Sequence, residues 1–86
     1  MTLSATPWSE DALQEWLIEK LAAELGRDPS DIDVQQPFAQ YGVDSVLAVT
    51  LVADLEDAMG RELNPTLLFD FPTIEAIAQH LAGQPA

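Results

Sequence analysis

The sequence predicts an all-α domain, a small bundle of three main helices plus one short helix, with a long loop after the first helix. Three segments place apolar residues at the spacing of an amphipathic helix, and each follows a residue that can cap a helix. No segment shows the alternation of apolar and polar residues that a half-buried strand requires. The apolar stripes need one another for burial, which a helical bundle provides.

Composition limits the classes of function. The 86 residues suffice for one domain, and 15 acidic against three basic residues give a net charge of −12. Nucleic acid is excluded as a partner and an anionic membrane surface is disfavoured, because both need clustered Lys and Arg. There is no cysteine, no recognisable signal peptide and no apolar run of the roughly 20 residues that span a membrane. We expect a cytoplasmic domain that is monomeric in isolation.

The domain is expected to cover residues 8–82, between short linkers at 1–7 and 83–86. Ser9 can cap the first helix, with acidic residues in the first turn, where the helix dipole favours them. Gly26 is suited to end this helix in a left-handed conformation. The apolar stripe of the helix comprises Leu13, Leu17, Ile18, Leu21 and Leu25.

A long connection follows, from residue 27 to residue 43, and it is rich in turn-forming residues. Connections of this length are uncommon in compact domains and usually functional. We expect its spaced apolar residues to lie on the core; they are Ile32, Val34, Phe38 and Tyr41. The aspartates of this loop lack the Asp-x-Asp-x-Asp-Gly frame of a calcium loop, so no metal site is expected.

The segment Tyr41-Gly42-Val43-Asp44-Ser45-Val46 joins this loop to the second helix. Gly42 allows a backbone approach that a side chain would obstruct, and Asp44 is a good N-cap. Ser45 is therefore predicted in the first helical turn, facing water. No Cys, Lys or His lies within ten residues of it to activate the hydroxyl. We interpret Ser45 as a group that is acted upon by another protein.

The second helix is predicted from Ser45 to Met59, ended by Gly60. Its buried face should comprise Leu47, Ala48, Leu51, Val52, Leu55, Ala58 and Met59. Its opposite face carries Val46, Val49, Thr50, Ala53 and Asp57, flanked by Asp54 and Glu56. Such a face is either ordinary solvated surface or a docking surface. We favour docking, with apolar contact through Val46, Val49 and Ala53 and steering of basic partners by Asp54, Glu56 and Asp57.

A short helix and a last helix complete the prediction. Asn64 should cap a short helix that has Pro65 at its first position and comprises little more than Thr66–Asp70. The nearby Phe69 and Phe71 supply large apolar area, and Pro72 stops any longer helix. Thr73 should cap the last helix, and Gly83 should end it. The buried stripe of that helix comprises Ile74, Ile77, Ala78 and Leu81.

From about Leu13 to Leu81 the chain resembles the acyl carrier domains of modular, type I polyketide synthases. The residues that carry the resemblance are Gly42-Val43-Asp44-Ser45, Leu55-Glu56, Gly60, Leu63, Thr66-Leu67-Leu68-Phe69-Asp70-Phe71-Pro72-Thr73-Ile74 and His80-Leu81. The resemblance implies a 4′-phosphopantetheine arm on Ser45, flanked in the motif by Asp44, that holds acyl or polyketide intermediates as thioesters. It implies as partners a phosphopantetheinyl transferase and the ketosynthase, acyltransferase and other domains of a synthase. Val46 stands where the family usually has Leu or Ile.

Three other classes of function compete with the carrier. A serine hydrolase needs a base and an oxyanion hole, but the only histidine is His80, and Leu47 stands where a nucleophile elbow needs Gly. We therefore expect no catalytic residue. Peptidyl carriers typically show a Gly-Gly-His-Ser-like or Gly-Gly-Asp-Ser-like motif, which makes the polyketide type preferable. An unmodified acidic interaction module stays open on physical grounds.

Overall fold

The computed structural model describes residues 8–82, and within them it contains helices and no strand. The long helices are α1 (Glu10–Leu25), α2 (Ser45–Met59) and α4 (Ile74–Ala82), and the short helix α3 spans Leu67–Asp70. Two short 3₁₀ helices, Pro29–Asp31 and Phe38–Tyr41, lie in the first loop. The predicted all-α bundle is confirmed. The expected linkers and the predicted helix end at Gly83 lie outside the described residues.

The three predicted N-caps of the long helices are confirmed. The Ser9 hydroxyl accepts a hydrogen bond of 3.0 Å from the Ala12 N–H at the start of α1. The Asp44 carboxylate accepts one of 2.9 Å from the Leu47 N–H in α2. Thr73 does the same in α4, where the Ala76 N–H donates at 3.0 Å. Each cap satisfies a backbone donor that has no partner within its helix, typically worth about 1 kcal/mol.

Both predicted glycine ends are also confirmed. Gly26 and Gly60 take left-handed conformations after α1 and α2. After α1, the Arg27 N–H donates to the Ala22 carbonyl at 2.9 Å, the bond that defines a Schellman motif. This turn directs the chain out of α1 into the first loop.

The core lies between the apolar stripes of the long helices. α1 packs against α4, and α2 contacts α3. The buried side chains of the long helices are Leu13, Leu17, Leu21 and Ala22 of α1, Ala48, Leu51, Val52 and Leu55 of α2, and Ile74, Ile77, Ala78 and Leu81 of α4. These stripes confirm the helical registers that the sequence predicted. No helix of the described residues is long and apolar enough to cross a membrane.

The first loop lies on the bundle through both side chains and backbone. Its anchors Ile32, Phe38 and Tyr41 are buried, as predicted, and Val34 is half-buried. The Phe38 N–H donates to the Pro72 carbonyl at 2.8 Å, and the Val34 carbonyl accepts from the first turn of α4 at 3.0 Å. The loop is therefore bonded both to the connection between α3 and α4 and to the first turn of α4.

Two predicted details are wrong, and the packing of the short helix adds a third feature that the sequence analysis did not specify. Ala58 is exposed, because at the last turn of α2 it is Met59 that packs against the core. The short helix begins at Leu67, and the Asn64 carboxamide forms a turn by accepting from the Thr66 N–H at 2.9 Å in place of capping a helix. Phe69 is 61% exposed, since a four-residue helix buries only one side and that side is Leu67 and Leu68.

Candidate functional site

The loop meets α2 at a left-handed glycine. Gly42 has φ 81°, and its N–H donates to the Ala39 carbonyl at 3.1 Å. A Cβ atom at Gly42 would meet none of the described atoms within 4 Å, so the expectation that a side chain would obstruct this position is wrong. Glycine suits the site because other residues rarely adopt this φ. The turn at Gly42 directs the chain from the loop to the start of α2.

Ser45 is the first residue of α2 and is exposed, as predicted. Its neighbour Asp44 has an extended backbone, with φ −91° and ψ −177°, and its carboxylate is engaged with the helix N-terminus. The only histidine of the chain, His80, lies on α4 and stacks on Phe71 with ring centroids 4.0 Å apart. The Ser45 hydroxyl thus lies beside an acid, and the motif contains no general base that could activate this hydroxyl.

The outer face of α2 begins directly after Ser45. Val46 is 72% exposed and Val49 is 49% exposed, and Thr50 and Ala53 are exposed beside them. The valines are unusual because large apolar side chains on α2 otherwise lie in or against the core. The structure therefore places a small apolar surface next to the serine.

The three carboxylates predicted to steer partners have different surroundings. Asp54 pairs with Lys20 of α1 at 2.9 Å, and this hydrogen bond raises the pKa of Lys20 above its usual value. Glu56 is half-buried and accepts a hydrogen bond of 2.7 Å from the Leu63 N–H. Asp57 is exposed. The first two thus have bonds within the domain, and Asp57 projects into solvent.

An apolar cleft of about 150 Å³ lies beside the loop that leads to Ser45. Its lining residues come from the loop, α2, α3 and the following turn; they are Pro37, Phe38, Ala39, Val43, Ala48, Leu68, Phe69 and Pro72. A cavity of about 150 Å³ can hold a molecule the size of benzene. Sequence reasoning missed Phe69 as a surface residue, because a helix of one turn has too few residues to show an apolar period.

The loop aspartates stabilise turns. The Asp28 carboxylate accepts from both the N–H and the hydroxyl of Ser30, each at 2.9 Å, which lowers the pKa of Asp28. Asp33 accepts from the Gln35 N–H at 2.9 Å. Within residues 8–82 no three His, Cys, Asp or Glu side chains are grouped as metal ligands.

A known protein family covers most of the chain. Residues 15–81, which include α2 and the serine junction, match the family described as "Phosphopantetheine attachment site". Polyketide synthase PksL from Bacillus subtilis (strain 168) is 33% identical over 70 residues, which are 81% of this chain and 2% of that synthase. The chain thus spans only a small part of a curated relative that it matches.

Solved structures of carrier proteins have the same fold. An acyl carrier protein from Anabaena sp. PCC 7120, described as having a variant phosphopantetheinylation-site sequence, is 39% identical with a TM-score of 0.82, and the match covers 95% of this chain and 93% of that one. A free-standing peptidyl carrier protein from Acinetobacter baumannii is 40% identical with a TM-score of 0.80, covering 85% and 91%. The chain therefore belongs to the family of phosphopantetheine attachment domains, non-catalytic carriers that bear a 4′-phosphopantetheine prosthetic group.

Proposed function

We propose that Ser45 is the attachment site of the 4′-phosphopantetheine arm and that this domain carries polyketide intermediates in a modular synthase. The observation that carries the proposal is the exposed Ser45 hydroxyl at the first residue of α2, inside the region that matches the family. The arm supplies a thiol on which an acyl group is held as a thioester. The protein around it has to present the arm and leave it free to reach partner enzymes.

The residues at the junction fit such a group. A phosphodiester on Ser45 would lie at the N-terminal end of a 15-residue helix, where the helix dipole favours negative charge. Asp44 directs its carboxylate to the Leu47 N–H, 2.9 Å away, so part of its charge is already balanced by the helix. The exposure of Ser45 leaves room for a substituent without disturbing the core.

Modification requires a separate enzyme. The Ser45 oxygen forms a bond to the phosphorus that bears pantetheine, the pyrophosphate bond of coenzyme A breaks, and adenosine 3′,5′-bisphosphate leaves. The proton of the hydroxyl passes to a base of the phosphopantetheinyl transferase, because the neighbouring motif offers only the capping Asp44. We place this reaction in the cytoplasm, where coenzyme A is available.

Polyketide chemistry is favoured by the relatives. Matches to this chain include polyketide synthases from Bacillus subtilis and from mycobacteria, and the chain covers 2–4% of the length of these proteins. We propose that its partners are the transferase and the ketosynthase, acyltransferase and other domains of such a synthase. They would dock on the apolar surface of Val46, Val49 and Ala53, with Asp57 contributing most of the electrostatic steering.

Intact-mass measurement tests the attachment site. We expect the chain, incubated with coenzyme A, magnesium and a broad-specificity transferase, to gain the mass of one phosphopantetheine. Ser45→Ala should gain nothing. Ser30→Ala is the matched control, because Ser30 is also an exposed serine in the first turn of a helix after an aspartate cap. Modification that persists in Ser45→Ala would disprove the assignment.

A peptidyl carrier is the second candidate, favoured by the 40% identity to the Acinetobacter baumannii peptidyl carrier protein. Loading assays on the holo domain separate the two functions. A polyketide carrier should accept malonyl or other acyl groups from acyltransferases, whereas a peptidyl carrier should accept aminoacyl groups from adenylation domains. Exclusive loading by adenylation domains would overturn the polyketide assignment and leave the attachment site unaffected.

A further inference from the structure

The hydroxyl of Tyr41 makes two hydrogen bonds to the backbone of a single residue, Asp33. It accepts from the Asp33 N–H at 2.6 Å and donates to the Asp33 carbonyl at 3.0 Å. The Tyr41 ring is buried, with 7% of its surface exposed. A buried tyrosine hydroxyl usually needs a polar partner. The sequence therefore indicates that a partner exists, but only the structure identifies it.

Asp33 is itself held in place. Its carbonyl also accepts from the Gln36 N–H at 3.1 Å, which closes a turn. The next residue, Val34, accepts from the Glu75 N–H at 3.0 Å in the first turn of α4. The Tyr41 hydroxyl is thus bonded to a turn that is fixed to one of the main helices.

The residues after Tyr41 present the serine. Gly42 turns the chain, and the Val43 N–H donates to the Phe38 carbonyl at 3.3 Å. Ser45 follows as the first residue of α2. The position of Tyr41 therefore determines where this short junction leaves the loop.

We propose that the Tyr41 hydroxyl is a positioning group that holds the junction in the conformation in which a transferase accepts Ser45. This inference rests on the proposed function, because it concerns how the attachment site is presented. Tyr41 is buried and acts through the backbone, without touching the enzyme. Loss of the hydroxyl removes both bonds to Asp33 and keeps the ring in the core. Fewer molecules then hold the junction in the conformation that the transferase accepts. The apparent affinity of the transferase falls in proportion to the fraction of competent molecules that remains.

The substitution Tyr41→Phe in the full chain tests the proposal. Transfer from coenzyme A by a broad-specificity transferase is followed over a range of carrier concentrations. We expect KM for the carrier to rise severalfold, with about tenfold as the upper limit set by the net contribution of the two lost hydrogen bonds, and kcat to stay nearly unchanged. The control is Ile77→Val, which removes one carbon from a fully buried side chain of α4 and costs a similar amount of stability. Its KM should equal that of the wild type.

Amide hydrogen exchange gives a second readout that needs no transferase. The amides of Asp33 and Val43 should exchange faster in Tyr41→Phe than in Ile77→Val at matched stability. Wild-type KM and wild-type exchange in Tyr41→Phe would overturn the proposal, as would a KM increase of equal size in Ile77→Val. If the wild-type chain is not modified at all, the proposed function fails, and the exchange rates alone then decide whether Tyr41 orders the junction.

Discussion

The Glu56 carboxylate, in the last turns of α2, accepts a hydrogen bond of 2.7 Å from the backbone N–H of Leu63, in the connection to α3. An ionised acceptor forms a stronger hydrogen bond than a neutral one. The same residue also accepts, through its backbone carbonyl, from the Gly60 N–H at 2.8 Å. Glu56 thus bonds α2 to the connection that leads to α3, which in turn contacts α2.

We expect Glu56→Ala to destabilise the domain by about 1–2 kcal/mol, because the half-buried Leu63 N–H loses its charged acceptor. Asp57→Ala should leave stability unchanged or slightly raised, since Asp57 is exposed and alanine is the better helix former. Urea unfolding followed by circular dichroism measures both. Equal stabilities of the two variants would mean that the bond to Leu63 contributes nothing.

Leu51 and Leu55 should be essential to the core. Both are buried, with 1% and 0% exposure, and truncation of either to Ala should cost roughly 2–5 kcal/mol through lost burial and a cavity. Val49→Ala on the exposed face of the same helix is the control and should be close to neutral. Thermal unfolding distinguishes them, and a melting temperature within a degree or two of wild type for Leu51→Ala would contradict the packing.

Val46→Asp should impair modification by the transferase about fivefold or more, because it puts a charge on an apolar contact. The fold should be kept, since Val46 is 72% exposed and an acid in the first turn of a helix is favoured by the dipole. Ala12→Asp places the same charge in the first turn of α1 and should react like wild type. Equal rates for the two variants would remove Val46 from the docking surface.

Asp57→Lys should slow association with basic partners at low salt, by a factor of about five at most, because the charge is exposed. The difference from wild type should shrink as salt rises, since the Debye length is already only about 10 Å at 0.1 M. Glu19→Lys, the same change on an exposed position of α1, is the control. A deficit that persists at high salt would indicate a direct contact and contradict simple steering.

The Lys20–Asp54 ion pair should make stability sensitive to alkaline pH. Its hydrogen bond raises the pKa of Lys20 in the folded state, so the contribution is present below the ordinary value of 10.5 and is lost as pH rises through the folded-state value. Urea unfolding midpoints are measured below and above the folded-state pKa of Lys20. The difference between the two midpoints should be smaller in Lys20→Gln than in wild type. Asp54→Asn should behave in the same way, and an unchanged pH dependence in both would show that the pair is not formed.

The three long helices and their N-caps were predictable because their signals are local. The caps at Ser9, Asp44 and Thr73 act on residues three positions away, and the apolar stripes repeat within each helix. Exposure of Ser45 followed from the same signals, since a residue just after an N-cap lies at the start of the helix.

The interactions that hold the site together could not be predicted in this way. The bonds between Tyr41 and Asp33 and between Glu56 and Leu63 join residues eight and seven positions apart through irregular backbone. No periodic pattern specifies such a path. The helical position of Glu56 at the edge of the outer face predicts an exposed charge. Its partner, the Leu63 N–H, is identified only by the folded connection after α2.

Two backbone bonds, one from the first loop to the α3–α4 connection and one to the first turn of α4, also constrain the order in which the site can form during synthesis. Phe38 bonds to Pro72, and Val34 to Glu75, so the loop in front of Ser45 depends on residues more than 30 positions later in the chain. A ribosome delivers those residues after the loop. Ser45 itself leaves the ribosome earlier. The loop in front of it can form both of these hydrogen bonds only after α4 has begun to fold. A transferase that needs the ordered junction would consequently modify completed domains and ignore nascent ones.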